Sequence, residues 1–200
     1  LNRAPKKKAN SNGTMVGGQW VDGRWPGKGG MAFRQFGDRI RLALAHELNA
    51  MTCMAWVRLD NLDHYFNALM MSGDARVGEP QWQFNQNGSL NFGKRTLAGW
   101  GVGHLEVLTS PVKLDPDQMG LWVHIAVVYD NPSKTLSHYV DGREISRHPL
   151  QSLTPIRLGR PEIGNWTPVS GQPMEPIRSF KGRIDEFAIY SRALAAEEIR

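Results

Sequence analysis

The sequence closes with the stretch that decides its fold, Phe180-Lys-Gly-Arg-Ile-Asp-Glu-Phe-Ala-Ile-Tyr-Ser-Arg-Ala-Leu-Ala-Ala-Glu-Glu-Ile-Arg200. Apolar side chains at Phe187 and Ile189 alternate with their neighbours, as they do in a half-buried β-strand. The alanine-rich segment that follows, with Leu194 and Ile199 as its apolar anchors, is typical of a short helical turn. We therefore predict a strand that runs directly into a helical turn.

Strand patterns also recur through the rest of the chain, in short runs separated by turn residues. Met51–Leu59 is rich in apolar and aromatic residues, and Leu121–Tyr129 is almost continuously apolar, as in a strand buried on both faces. Gln81–Phe92 alternates polar and apolar side chains on both sides of Asn87-Gly88, a strong hairpin signal. These runs predict an all-β, antiparallel two-sheet sandwich. A short helical turn over His46–Asn49 stays an alternative at that point of the chain.

Several of these runs follow a recognisable order. Trp25–Ile40 leads to Met51–Arg58, which contains Ala-Trp-Val. Leu121–Asp130 contains Trp-Val-His-Ile-Ala, and His138–Arg143 contains Tyr-Val-Asp-Gly. Together with residues 180–200, this order resembles the LamG-like domains of the concanavalin A-like lectin/glucanase superfamily. The resemblance implies an antiparallel jelly roll with a short C-terminal helical turn.

Length and charge indicate one globular domain that follows a basic N-terminal linker. The chain has 200 residues, 40% of them hydrophobic, and no apolar run long enough to span a membrane. We predict a disordered linker over residues 1–12 and the jelly roll over residues 13–200. Four of the five net positive charges lie in this linker, at Arg3, Lys6, Lys7 and Lys8. The remaining body carries +1, and no aromatic residue accompanies the basic run, so we expect no nucleic-acid partner.

The ends of the chain and its cysteine content bear on its setting. Cys53 is the only cysteine, which leaves no internal disulfide to predict. Because the sequence starts at Leu1 and stops at Arg200, inside the predicted helical turn, we expect one domain of a larger protein. The resemblance implies that this larger protein is exported or surface-associated, and hence an extracytoplasmic location.

The resemblance leaves the function open, because this jelly roll serves lectins, interaction modules and glucanases. Retaining glucanases on this scaffold use a Glu-x-Asp-x-x-Glu strand that sets two carboxylates about 5 to 5.5 Å apart on one face. The chain has no such strand, and Asp185 and Glu186 are adjacent, so they point to opposite faces. We predict a non-catalytic module that binds a glycan. The alternatives are a structural or protein-interaction domain and, less favoured, a glycoside hydrolase.

Tryptophans in loops are the first candidate ligand-binding residues. The apolar face of a sugar ring stacks on an aromatic ring, while its hydroxyls need amides or other polar partners. Trp100 and Trp166 lie in Gly- and Pro-rich loops, where binding residues concentrate. His104, Asn165 and Gln172 are their neighbours in sequence and the predicted hydrogen-bonding partners. The alternative is that each tryptophan folds back to cover a sheet edge.

A sheet face is the second candidate for glycan binding. Gln81, Trp82 and Gln83 offer two amides and a ring within one predicted strand. The first interpretation of Trp82, which it shares with Trp56 and Trp122, is nevertheless that of a core or sheet-face residue.

A calcium ion is the cofactor that the resemblance implies. Calcium-containing relatives place a carboxylate ligand at the position of Asp185, assisted by main-chain oxygens. The glycine-rich segment Gly27–Gly30 could supply such oxygens, which suit calcium. The alternative is that Asp185 caps a turn or pairs with Arg183. The six histidines show no spacing typical of a zinc site.

Overall fold

The computed structural model describes residues 13–72, 76–96, 104–166 and 178–199. These residues form two seven-stranded sheets, in which all strand pairs are antiparallel, and a smaller two-stranded sheet. The two large sheets enclose one hydrophobic core. The predicted fold class, a two-sheet jelly-roll sandwich, is therefore confirmed. The predicted linker over residues 1–12 lies outside the described residues.

The strands are numbered in chain order. Sheet A contains, in spatial order, β1 (Thr14–Val16), β4 (Arg39–Arg41), β15 (Pro161–Ile163), β7 (Phe66–Ser72), β8 (Pro80–Asn85), β9 (Ser89–Thr96) and β10 (His104–Lys113). Sheet B contains β13 (Arg143–Pro149), β12 (Thr135–Val140), β11 (Trp122–Asp130), β6 (Ala50–Leu59), β16 (Gly182–Tyr190), β3 (Gly29–Phe33) and β2 (Gln19–Asp22). The small sheet pairs β5 (Leu44–Leu48) with β14 (Ile156–Gly159).

Helix is scarce in the described residues, as the sequence predicts. A 3-10 turn covers Pro116–Gln118, and α1 covers Ala196–Ile199. The predicted C-terminal helical turn is therefore present, whereas the alternative helical turn over His46–Asn49 is wrong because β5 covers most of it. Within the ranges given above, no helix has the length and apolar character that crossing a membrane requires.

The core lies where alternate side chains of the central strands meet between the sheets. In β6, Cys53, Ala55 and Val57 are fully buried, and in β11 the same holds for Ile125 and Val127. Each large apolar side chain buried in this way contributes roughly 1.5–3 kcal/mol. Because side chains alternate between the faces of a strand, the intervening residues point away from the core, onto what we call the outer face of each sheet. Burial also raises the pKa of the Cys53 thiol, which leaves it protonated and unreactive.

Most strands that the sequence does not predict lie at the margins of the sheets; the exception is the three-residue β15, which pairs with β4 and β7 inside sheet A. β10 and β13 are edge strands, and β5 belongs to the small sheet. An edge strand packs against one neighbour only, so fewer of its side chains are buried and its apolar pattern is weaker. In contrast, the predicted hairpins at Asn87-Gly88 and between β11 and β12 are both present.

The C-terminal segment covers part of the outer face of sheet B. Leu194 and Ile199 pack on Ala126 and Val128 in a second apolar cluster. The Thr52 hydroxyl fixes the segment in place by accepting a hydrogen bond from the Leu194 amide, at 3.0 Å. This end of the outer face is therefore buried, although it faces away from the main core.

A buried lysine joins the two large sheets. Lys94 of β9 is 1% exposed, and its Nζ donates to the Tyr129 hydroxyl of β11, at 2.8 Å, and to the Ser152 carbonyl. Glu106 of β10 supplies the opposite charge, with 3.4 Å between Nζ and Oε2, and its Oε1 accepts from the Gln151 amide at 2.7 Å. Burial lowers the pKa of the Lys94 ammonium, and the charge of Glu106 raises it. The network ties the loop after β13 to both sheets.

Lys94→Met should destabilise the protein by about 3–5 kcal/mol, because it leaves the Glu106 carboxylate buried without its cation. The double variant Lys94→Met/Glu106→Gln should recover most of this loss. Lys181→Met breaks an exposed ion pair with Asp63 and should change stability by less than about 1 kcal/mol. Urea unfolding measures the stability of all three variants. If Lys94→Met lowers the free energy of unfolding no more than Lys181→Met does, the Lys94–Glu106 pair is not the buried ion pair that the structure shows.

A buried histidine lies on the core face of β12. His138 is 0% exposed, and its Nε2 lies 3.1 Å from the Leu108 carbonyl, to which the tautomer protonated at Nε2 donates. The His148 ring lies 5.8 Å away between ring centroids. Burial lowers the pKa of His138 to about 4, and the charge of His148 acts in the same direction. The folded protein therefore keeps this imidazole neutral in mild acid.

The free energy of unfolding should fall as the pH drops from 6.5 towards 4. In that window the unfolded chain binds a proton at His138 that the folded protein does not, which amounts to about 3 kcal/mol. Denaturant titrations across this range should show a smaller loss in His138→Gln, which keeps a donor for Leu108. His46→Gln, at an exposed position, is the control and should keep the wild-type slope. Equal slopes in all three proteins would exclude the role of His138.

Candidate functional site

The outer face of sheet A carries a row of amide and hydroxyl side chains. In β8 and β9, Phe84, Leu90 and Phe92 point into the core, so the side chains between them point outward. Strand register then places Gln83 beside Asn91, and Asn91 beside Thr109 of β10. Three neighbouring strands thus present polar groups at one level of the sheet.

Two of these side chains, Asn91 and Thr109, line a groove of about 540 Å³, whereas Gln83 lies outside its lining. Asn91 is 5% exposed, so it lies at the floor of this face. The groove lining combines aromatic, amide and hydroxyl groups, from Tyr65, Phe66, Asn85, Gln86, Asn87, Asn91, Val107 and Thr109. Asn91 Nδ2 lies 3.4 Å from Asn85 Oδ1 and 3.3 Å from Thr109 Oγ1, both acceptors. The Tyr65 ring is 67% exposed and packs edge-on against Phe66, with 4.6 Å between centroids. The groove therefore offers an exposed ring beside fixed polar groups.

Arg178 connects the groove face to a predicted binding residue. Its Nη1 donates to Gln83 Oε1 at 3.2 Å. Its guanidinium also lies over two rings, 4.9 Å from the centroid of Phe66 and 4.9 Å from that of Trp166. Trp166, predicted from its loop position, is thus held next to the amide row through a cation–π contact.

The structure separates the other predicted ligand residues. Asn165 is 0% exposed, and its Oδ1 accepts from the Trp166 amide at 2.8 Å, so it shapes the turn that carries the tryptophan. His104 is exposed at the start of β10, outside the groove lining. Trp100 and Gln172 lie outside the described residues.

The sequence-predicted sheet face is present, with a different composition. Gln81 and Gln83 lie on the outer face, whereas Trp82 is 0% exposed in the core. Its interpretation as a core residue is therefore confirmed, and its alternative place in a binding face is wrong. Alternation along β8 separates it from both glutamines. Two groove residues are absent from the sequence predictions. Asn91 is signalled by the same alternation in the partner strand of the hairpin, whereas no sequence pattern marks Tyr65.

Asp185 has a hydrogen-bonding role in the structure. Its Oδ2 accepts from the Arg24 amide at 2.9 Å, and its Oδ1 accepts from the Glu186 amide at 2.8 Å. A side chain at Gly23 would collide with the same carboxylate, so the turn between β2 and β3 closes directly on it. The adjacent Glu186 pairs instead with the Lys28 ammonium. Asp185 therefore anchors this turn to β16.

The residues around Asp185 do not fit a calcium ion. Both of its oxygens already face N–H donors, and a cationic side chain neutralises the neighbouring acid. In the described ranges, no three His, Cys, Asp or Glu side chains lie close enough together to hold a metal. Calcium binds through several oxygen ligands at once. The calcium prediction therefore rests on the resemblance alone.

The chain matches one family model, described as the concanavalin A-like lectin/glucanases superfamily, over residues 35–200. No curated protein matches the chain in sequence.

Solved structures share its fold at low sequence identity. A heptameric SAP-like pentraxin from Limulus polyphemus matches with a TM-score of 0.61 and 15% identity, over 84% of this chain and 78% of the pentraxin. Domain 4 of an extracellular arabinanase from Geobacillus stearothermophilus, in complex with arabinotriose, matches with a TM-score of 0.59 and 20% identity, over 94% of this chain and 80% of that domain. The K499G mutant of the NanB sialidase from Streptococcus pneumoniae matches with a TM-score of 0.58 and 17% identity, over 76% of this chain and 23% of the sialidase. The chain thus corresponds to under a quarter of the sialidase.

Removing divalent cations should leave the melting temperature unchanged, because Asp185 is satisfied by backbone donors. A metal bound only to the native state would stabilise it by mass action. Thermal unfolding with EDTA and with added calcium measures this. A lower melting temperature in EDTA, restored by calcium and absent in Asp185→Asn, would reinstate the calcium site.

Proposed function

The chain belongs to the concanavalin A-like lectin/glucanase superfamily, and on that premise we propose that it is a non-catalytic carbohydrate-binding module with its ligand in the groove of sheet A. The observation that carries the proposal is the amide and hydroxyl row beside the exposed Tyr65 ring. We propose further that the module acts in an extracytoplasmic protein. The extracellular arabinanase whose domain 4 shares the fold supports this setting.

The chemistry of the groove suits a sugar. An aromatic ring such as Tyr65 offers an apolar surface for the C–H face of a pyranose or furanose, and two rotatable side-chain bonds keep its ordering entropy low. The amides of Asn85 and Asn91 carry both donors and acceptors, which match hydroxyl groups that also do both. The hydrogen bond between them, and those to Ser89 and Thr109, fix their orientation before the ligand arrives. Such preorganisation reduces the entropy lost on binding.

The lining of the groove supports binding rather than hydrolysis. Glycosidases need a pair of carboxylates, about 5 to 5.5 Å apart or about 6.5 to 9.5 Å apart, on either side of the scissile bond. No carboxylate belongs to the described residues that line the groove. A sugar seated on Tyr65 would therefore meet amides and hydroxyls where a hydrolase has its acid and base.

The loop residues predicted from sequence enter this proposal with different roles. We propose that Trp166, held beside Gln83 by Arg178, extends the groove to further sugar units. Asn165 fixes the backbone of Trp166 by accepting a hydrogen bond from its amide. Trp100, His104 and Gln172 remain predicted contacts, the first and last of them outside the described residues.

Tyr65→Ala should weaken glycan binding at least tenfold, about 1.4 kcal/mol, by removing the stacking surface. Asn91→Ala should have a similar effect through lost hydrogen bonds. Tyr190→Ala removes the same ring from the outer face of sheet B, where Tyr190 is 37% exposed, and should leave binding unchanged. Binding is measured on an array of neutral oligosaccharides that includes arabinotriose, and then by calorimetry with each sugar that binds.

The same experiment separates the alternatives. If the wild-type protein binds no glycan, the structural or protein-interaction alternative replaces this proposal. Release of reducing ends from a bound oligosaccharide would instead identify a glycoside hydrolase.

A further inference from the structure

The C-terminal segment covers only one end of the outer face of sheet B. The other end carries arginine and tryptophan side chains instead of apolar ones. Register places Trp122, Arg58 and Arg183 side by side across β11, β6 and β16. The next level contains Trp56, with the guanidinium of Arg24 above its ring. We call Arg24, Trp56, Arg58, Trp122 and Arg183 the cationic strip.

Arg24 lies between two indole rings. Its guanidinium is 3.7 Å from the centroid of Trp56 and 4.3 Å from that of Trp25, which is 54% exposed. Its Nε is buried and has no hydrogen-bond partner in the described part of the chain. Stacking thus holds the guanidinium in one place while part of its hydrogen-bonding capacity remains unused.

Arg58 and Arg183 are like charges at directly opposed positions of neighbouring strands. Such pairs are unfavourable unless an anion lies between them. Within the described ranges neither guanidinium has a carboxylate at ion-pair distance, and the buried Nε of Arg58 has no partner. Two adjacent guanidinium groups without a counter-ion match the planar geometry of a carboxylate or the oxygens of a sulfate.

The nearby acids leave this positive charge largely uncompensated. Asp185 accepts two backbone hydrogen bonds, Glu186 pairs with Lys28, and Asp141 accepts from the His124 amide at 2.9 Å. Asp22 lines a cleft of about 510 Å³ together with Arg183, but the two are not at ion-pair distance. The strip therefore keeps an anion-binding character beside exposed aromatic surface.

We propose that the cationic strip is a second ligand site, which binds an acidic saccharide bearing carboxylate or sulfate groups. The anionic group is held between Arg58 and Arg183, and the sugar ring lies against the Trp56 and Trp25 side of the strip. Charge complementarity and the neighbouring rings together favour this ligand over a simple anion. The site lies on the sheet opposite the groove, so it does not depend on the groove for its function.

Calorimetry with three probes tests the site: trigalacturonate, a heparin-derived tetrasaccharide and neutral arabinotriose. We expect one or both acidic probes to bind, with an affinity that falls as salt rises. Arg58→Gln and Arg183→Gln should each weaken this binding at least tenfold. Arg143→Gln removes the same charge from an exposed position of β13 and should change it less than twofold. The response identifies whether carboxylate or sulfate is the preferred group.

Several results would overturn the site. These are no binding of either acidic probe at millimolar concentration, equal losses in Arg58→Gln and Arg143→Gln, or tighter competitive binding of a poly-glutamate peptide. Tyr65→Ala should leave the acidic probes unaffected. If it abolishes their binding, they occupy the groove, which removes the second site but not the proposed function.

Discussion

Alternation of side chains along strands such as β6 and β8 is the constraint on which both surfaces of this molecule depend. Val57 points into the core and Arg58 points out; Phe84 points in and Gln83 points out. The burial energy of the inward set fixes the strands, and the outward set is then held at the regular spacing of a sheet. Polar and aromatic groups are thereby displayed on a rigid support, which loops alone would not provide.

The buried network around Lys94 shows a different use of polar groups. A pair of apolar side chains in place of Lys94 and Glu106 could be equally stable, because desolvation offsets much of the attraction between buried charges. Apolar side chains, however, could not donate to the Ser152 carbonyl or accept from the Gln151 amide. The ion pair thus positions the loop after β13 in a way that hydrophobic packing cannot.

The sequence predicts the features that arise from local patterns. Central strands such as β6 and β11 carry enough buried side chains to be recognised, and Asn87-Gly88 marks its own hairpin. The edge strands β10 and β13 lack that signal. The groove depends on strand register between distant segments: Thr109 joins Asn91, and Arg178 reaches Gln83 across 95 residues. No local pattern encodes these contacts, whereas the burial of Trp82 between two outward glutamines follows from alternation along β8.

The C-terminal segment also determines how this unit could be recombined with other sequences. Leu194 and Ile199 shield Ala126 and Val128 on a face that would otherwise be apolar and exposed. A fusion or truncation made directly after β16, where the last strand ends, would uncover that patch and favour self-association. The smallest transplantable unit therefore extends past its final strand, through the helix that closes over sheet B.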